Sequence, residues 1–244
     1  MAELYVVGTP IGNLDDITFR AIETFKKVQV FAAEDTRHTL ELLNALEKKG
    51  FLDHSDIKKQ MISCRSQNEE KAALSVIECL EKGQDVAYAS DAGTPGISDP
   101  GAVLVDSVRR AGFRVIPVPG PSAFATLVSV AGSGGKTLVF EGFLSPSPGK
   151  RRKRLRELLA TGDAIILYES PFRIVKLLSD ISDIDNNRRV VIGRELTKLH
   201  EEIIEGSAQE MRDDFAGRAS IKGEFAIFIS GVKKVQLSDE STDN

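Results

Sequence analysis

The chain has 244 residues, 41% of them hydrophobic, and a formal net charge of −4 at pH 7. That length accommodates one large domain or two modest ones with real cores, and the composition excludes an intrinsically disordered chain. No apolar run approaches the roughly 20 residues of a membrane helix, and the start lacks a basic region followed by an apolar one, so a cytoplasmic protein with no membrane partner is expected.

A negative total charge argues against a nucleic-acid partner unless Lys and Arg gather on one surface. Two cysteines, Cys64 and Cys79, are too few for a disulfide framework and read as reduced thiols. His38, His54 and His200 are scattered, so no metal site is expected.

Short β-rich runs alternate with helical patterns along the chain, the signature of an α/β protein with a mostly parallel sheet. The first half offers strands at Leu4–Val7, Val28–Ala33, Gln60–Ser63, Val86–Ser90 and Arg114–Pro117. Between them, Ala72, Ala73, Val76, Ile77 and Leu80 fall at helical spacing before Gly83, and Val103, Leu104 and Val108 do so before Gly112. Pro117, Pro119 and Pro121 interrupt any regular element, which places a domain boundary there. The expected organisation is 1–118, 119–234 and a polar tail over 235–244.

The second half offers strands near Leu138–Phe140, Ala164–Tyr168, Val190–Gly193, Glu202–Ile204 and Glu224–Ile229. The gap between the third and fourth is too short for a helical crossover, which predicts an antiparallel pair and a mixed sheet.

Three loops rich in Gly, Pro, Ser, Thr and Asp follow predicted strands: Gly8–Leu14, Ser90–Gly101 and Pro119–Ala123. In open α/β sheets ligands bind beyond the carboxyl ends of strands, where glycines admit a close approach of backbone. Taken singly, each loop is also explained as an ordinary turn. The run Gly132–Thr137 ends like a phosphate-binding loop, but Val130 stands where its first glycine belongs and a strand follows instead of a helix, so a nucleotide triphosphatase is excluded. Gly8–Leu14 does not match the dinucleotide pattern either.

Polar clusters lie at or after strand ends: Glu34–His38, Asn68–Glu69, Tyr168–Ser170 and Arg194–Lys198. Charged residues there reach a cleft, or else serve as helix caps and surface ion pairs, as Asp35, Thr36 and Ser170 would. The run Lys150–Arg156 sets Leu155, Leu158 and Leu159 toward a core and is expected to face its basic residues outward, where they either hold RNA phosphates or are simply solvated.

The ordered set LYVVGTPIGNLDDIT, AAEDTRHT, SDAGTPGISDPG, PVPGPSA, FEGFL with its basic helix, YESPFRI, RELTKLHEE and KGEFAIFISG resembles the ribosomal RNA small subunit methyltransferase I family, in the tetrapyrrole-methylase-like class. The resemblance implies a two-domain fold with a mostly parallel N-terminal sheet, a mixed C-terminal sheet and S-adenosylmethionine in the interdomain cleft. It also implies a homodimer that 2'-O-methylates a cytidine ribose in the decoding region of 16S rRNA. Carried over by position, cofactor contacts are expected at Pro10, Ser90, Asp91, Gly93 and Ser122, with Pro95 and Ile97 shaping the pocket, and at Tyr168, Glu169 and Ala226. The chain departs from the pattern at Cys64–Gln67 and at Phe172, where relatives commonly carry histidine.

A ribose hydroxyl is a weak acid, so a base or nearby cation is expected to assist its deprotonation. The candidates are Glu34 and Asp35, with Arg37, Glu195 and Lys198 as positioning or electrostatic partners; RNA contacts are expected at Lys150, Arg151, Arg152, Lys153 and Arg154. Two readings stay open beside this one. They are a methyltransferase of the same fold acting on a corrin precursor or other small molecule, and a non-catalytic RNA-binding assembly protein.

Overall fold

The computed structural model describes residues 2–132 and 134–232. The polar tail expected over 235–244 lies outside the described residues. The chain divides into two compact units, one running to Thr126 and including Leu196–Leu199, the other comprising Leu127–Glu195 and the described residues from His200.

The first unit contains β1 (Glu3–Val7), α1 (Phe19–Lys27), β2 (Val30–Ala33), α2 (Thr36–Lys48), α3 (His54–Ile57), β3 (Gln60–Ser63), α4 (Glu69–Glu81), β4 (Val86–Ala89), α5 (Ala102–Arg110) and β5 (Arg114–Val118). Its five strands are wholly parallel, in the order β3-β2-β4-β1-β5.

Successive strand side chains point to opposite faces, and here both faces are apolar. Leu4, Ala32, Val86 and Tyr88 pack on Ala72, Val76 and Leu80 of α4 and on Leu104 and Val108 of α5. The alternate set, Tyr5, Val7, Phe31 and Ala87, packs on Ile22 and Phe25 of α1 and Leu43 and Leu46 of α2. Helices therefore cover both faces, and ligand-sized openings are left to the strand ends.

The segment α6 (Ala123–Val130) carries the chain from the first unit to the second, which holds β6 (Leu138–Phe143), α7 (Pro148–Ala160), β7 (Ala164–Glu169), α8 (Ile174–Ile184), β8 (Arg189–Arg194), β9 (Glu202–Ser207), α9 (Ala208–Gly217) and β10 (Phe225–Ile229). The sheet order is β6-β7-β10-β8-β9; β6 and β7 are parallel, and the remaining pairs are antiparallel, including β8 with β9 as the short gap requires. One core joins its helices to one face of the sheet, with Leu155, Leu158 and Leu159 of α7, Leu177 and Ile181 of α8 and Phe215 of α9 among its members.

Candidate functional site

Because β4, β1 and β5 are neighbours in the first sheet, the three Gly- and Pro-rich loops that follow them emerge side by side. Backbone bonds tie them together. Gly8 N–H donates to the Val118 carbonyl at 2.9 Å, Thr9 N–H donates to Gly93 O at 2.8 Å, and Gly93 N–H donates to Thr9 O at 3.1 Å. The Thr94 hydroxyl donates to Pro121 O at 3.1 Å. Pro10, Ser90, Asp91 and Gly93 thus share one rim. Pro95 is buried within the second loop and Ile97 half-buried. Ser122 stands at the third loop, where its carbonyl accepts the Thr126 N–H and opens α6.

Strand β2 lies on the other side of β4, and its end adds a polar cluster. Asp35 N–H donates to Asp91 Oδ1 at 3.0 Å, and Asp91 N–H donates to Glu34 Oε2 at 3.3 Å. His38 Nδ1 lies 3.1 Å from Asp91 Oδ2, and Arg65 Nε donates to the Glu34 carbonyl. His38 and Arg65 therefore belong to the cluster with Glu34 and Asp35.

The two candidate bases differ in their surroundings. Asp35 is the N-cap of α2: its Oδ1 accepts the Arg37 N–H at 2.9 Å, and Arg37 grips both carboxylate oxygens at 3.0 and 2.6 Å. That bidentate guanidinium holds the Asp35 carboxyl well below the usual carboxylate range. Burial raises Glu34 instead and outweighs the lowering by the Asp91 amide, the next largest influence; the Asp91 charge adds to the rise, and His38 and Arg65 oppose it. The Asp91 carboxylate raises His38.

Asp99, which residue type alone did not distinguish from its loop neighbours, joins this group electrostatically. Burial first, then the Glu34 charge, push its carboxyl up to about 6. The Ser90 hydroxyl is buried and makes no hydrogen bond within 3.5 Å among the described residues, although it lies close enough to Asp99 to temper that rise. A buried hydroxyl without a strong partner, on a rim lined by glycines, suits a bound polar ligand.

Asn68 and Glu69 take the structural role. Glu69 is buried and accepts the N–H groups of Gly101 and Leu104 at 2.8 and 3.0 Å, which caps α5; Asn68 donates to Ser63 O. Lys198 rests its stem against Gly12 of the first loop, leaving no room for a side chain there. Thr197 and Ser98 hold positive φ angles of 67° and 66°, a conformation that costs about 1–3 kcal/mol and concentrates at functional loops.

In the second unit, antiparallel pairing sets Ala226 opposite Tyr168 and Phe225 opposite Glu169. Tyr168 is flanked edge-on by Phe140 and Phe143, with ring centroids 5.2 and 5.7 Å away. Glu169 is buried; its Oε1 accepts the Ser170 N–H and pairs with Arg173, both at 2.7 Å, while its buried Oε2 makes no hydrogen bond among the described residues. Tyr168 and Ala226 therefore share one face of the strand ends, whereas the Glu169 side chain turns to the helix-covered face with Phe225 and Arg173. Glu195, at φ 49°, accepts the Glu224 N–H at 3.0 Å within the same unit.

The basic helix α7 buries Leu155, Leu158 and Leu159 as expected, but not all its cations face outward. Arg151 is a correction: it is buried, and its Nε donates to Asp180 of α8 at 2.6 Å. It lies on the same face as the three leucines and can stay charged there only because Asp180 meets it. Arg152 also binds Asp180, at 2.5 Å, and Arg154 clasps Glu141 of β6 at 2.8 and 2.7 Å. Lys150 and Lys153 are exposed.

A family model described as Tetrapyrrole (Corrin/Porphyrin) Methylases matches residues 3–212. The chain is 46% identical over 228 residues to the Ribosomal RNA small subunit methyltransferase I of Borrelia garinii subsp. bavariensis, covering 93% of this chain and 98% of that protein. It is 42% identical to the Thermotoga maritima protein of that name, over 95% and 99% of the two chains, and 38% identical to that of Bacillus subtilis, over 98% and 79%. Among solved structures it is similar to the methyltransferase CobJ, with a TM-score of 0.70 at 15% identity over 96% and 97% of the chains. The cobalt precorrin-4 methyltransferase CbiF gives 0.64 at 17%, over 94% of each. At such identities the structural likeness shows the fold alone.

Proposed function

The chain belongs to the ribosomal RNA small subunit methyltransferase I family, of tetrapyrrole-methylase fold, and on that premise we propose that it methylates small-subunit rRNA using S-adenosylmethionine, at the 2'-oxygen of a cytidine in the decoding region. Action as a cytoplasmic homodimer completes the proposal. The observation that carries it is the side-by-side emergence of the loops after β4, β1 and β5, with Glu34 at the next strand end.

The residues fit the cofactor. Backbone at Pro10 and Gly93, the buried Ser90 hydroxyl and Asp91 offer polar contacts in the first unit, with Pro95, Ile97 and Ser122 around them. In the second unit Tyr168 and Ala226 offer an apolar wall, and the backbone of Glu169 continues the strand end beside it. When bound, S-adenosylmethionine supplies an electrophilic methyl carbon on a sulfonium.

The chain's own task is alignment and proton removal. Holding the ribose oxygen in line with the methyl carbon supplies much of the rate, and a positioned base adds about 10²–10⁴-fold. Glu34 is assigned as that base. Its raised affinity for protons makes it a better acceptor than an ordinary carboxylate, whereas Asp35 is committed to Arg37. Arg37, Lys198 and Glu195 are assigned positioning and electrostatic roles.

The test is methyl transfer from labelled S-adenosylmethionine to unmodified small ribosomal subunits, followed by mapping of the modified nucleotide. A 2'-O-methylcytidine in the decoding region is the expected product. Cofactor binding without transfer to RNA would instead favour a small-molecule substrate, and no cofactor binding would favour an assembly protein.

A further inference from the structure

The six cations of α7 are of two kinds. Three are matched by carboxylates: Arg151 by Asp180, Arg152 by Asp180 and Asp183, and Arg154 by Glu141 and Glu157. The other three, Lys150, Lys153 and Arg156, are exposed, and none pairs with a carboxylate among the described residues.

Helix geometry explains this division. At about 100° per residue, the buried face formed by Arg151, Leu155, Leu158 and Leu159 has Lys153 diametrically opposite it. Lys150 and Arg156 fall about 60° to either side of Lys153, while Arg152 and Arg154 lie on the flanks that meet α8 and β6. The three leucines anchor the helix with about 1.5–3 kcal/mol of burial each, so the outer cations are not needed for docking.

We propose that Lys150, Lys153 and Arg156 form a phosphate-binding strip on the outer face of α7 that grips the RNA backbone, while Arg151, Arg152 and Arg154 only fix the helix in place. This rests on the rRNA reading above and changes which residues of the helix serve it. Successive members are separated by about 4.5 Å along the helix axis, and three exposed cations that make no ion pair among the described residues are free to displace counterions from a polyanion, the one carboxylate on this face, Glu157, being drawn to Arg154. A chain with net charge −4 needs such a local concentration to approach RNA at all.

The experiment measures binding of the full-length protein to a transcript of the 16S decoding region across a salt series. The K150S/K153S/R156S variant is expected to lower the slope of log affinity against log salt by about 2–3, at roughly 0.7–0.9 for each phosphate that the variant leaves unneutralised. Its melting temperature and S-adenosylmethionine affinity should stay at wild-type values, and K150R/K153R/R156K should restore the slope. The R152S/R154S variant should melt earlier and keep the slope. A wild-type slope in the first variant, or a reduced one in R152S/R154S alone, overturns the assignment. Were the wild-type protein itself to show no salt-dependent RNA binding, the rRNA reading would fail, and this inference with it.

Discussion

Gly8 and Gly120 face each other so closely that a Cβ built on Gly8 would lie 2.7 Å from the Gly120 nitrogen, and one on Gly120 would lie 2.7 Å from the Gly8 carbonyl oxygen. Both clashes are with backbone, which cannot swing aside as a flexible side chain can. The loops after β1 and β5 are locked at this point, and the loop after β4 is tied to β1's through Thr9 and Gly93. Gly120→Ala should therefore spread the rim: a drop of several degrees in melting temperature and at least tenfold weaker S-adenosylmethionine binding by calorimetry. Wild-type cofactor affinity in a folded Gly120→Ala protein would remove this rim from the cofactor site.

Glu34 and Asp35 are adjacent in sequence but should respond differently to amidation. Glu34→Gln is expected to cut turnover on small subunits by about 10²–10⁴ with KM little changed, as loss of a base acting in the transition state requires. A base must be ionised to act, and burial raises Glu34, so wild-type turnover should climb with pH through an ionisation above the usual carboxylate value and then level off. Asp35→Asn should chiefly loosen the start of α2. The folded state depresses the Asp35 carboxyl, so the stability it contributes is present above its unfolded pKa of about 4 and lost as pH falls. A melting-temperature comparison at pH 7 and pH 3 should show the variant's deficit largest at pH 7 and reduced, not abolished, at pH 3, since the loss is complete only below the depressed folded-state value. Full turnover in Glu34→Gln would refute the assignment of the base.

The strands were legible because each buried run is short, apolar and bounded by turn residues. The errors lie at the ends. Val28 and Gln29 read as strand, but Val28 N–H donates to Thr24 O and closes α1. Strand β6 runs on to Phe143 through an irregularity between Phe140 and Gly142, where the polar Glu141 and the glycine break the apolar pattern. Strand order leaves no trace in periodicity, so the adjacency of the three loops emerged only in the fold. Arg151 was misplaced for a related reason: its partner Asp180 is 29 positions away on another helix, and charge alone reads such a residue as solvated.

Asp99 gives a stability test with the opposite sign to Asp35. Its folded-state pKa is pushed up to about 6, so the folded protein holds a proton that the unfolded chain releases near pH 4. The stability from that proton is fully present below about pH 4 and lost as pH rises through about 6. Asp99→Asn removes the penalty of ionising a half-buried carboxyl beside Glu34. After allowance for solvent screening, it should gain about 1–2 kcal/mol over wild type at pH 8 and almost nothing at pH 4, by urea denaturation. An equal effect at both pH values would mean that Asp99 does not titrate in this window.

Arg151 and Asp180 make the strongest case for a purely structural charge. Both side chains are nearly inaccessible, at 5% and 2% exposed, and their contact is 2.6 Å between α7 and α8. Removing one member of a buried pair leaves the other charge desolvated, which typically costs about 3–5 kcal/mol, whereas replacing both by apolar groups of similar volume is often neutral. Asp180 also holds Arg152, so Asp180→Ala should be the most damaging single change on this face, and Arg151→Met with Asp180→Leu should recover much of the loss while leaving Arg152 half-exposed and able to reach water. Urea denaturation of the single and double variants measures both quantities. If Asp180→Ala cost under about 1 kcal/mol, the pair would be behaving as a solvated one, and α7 would be held by its leucines alone.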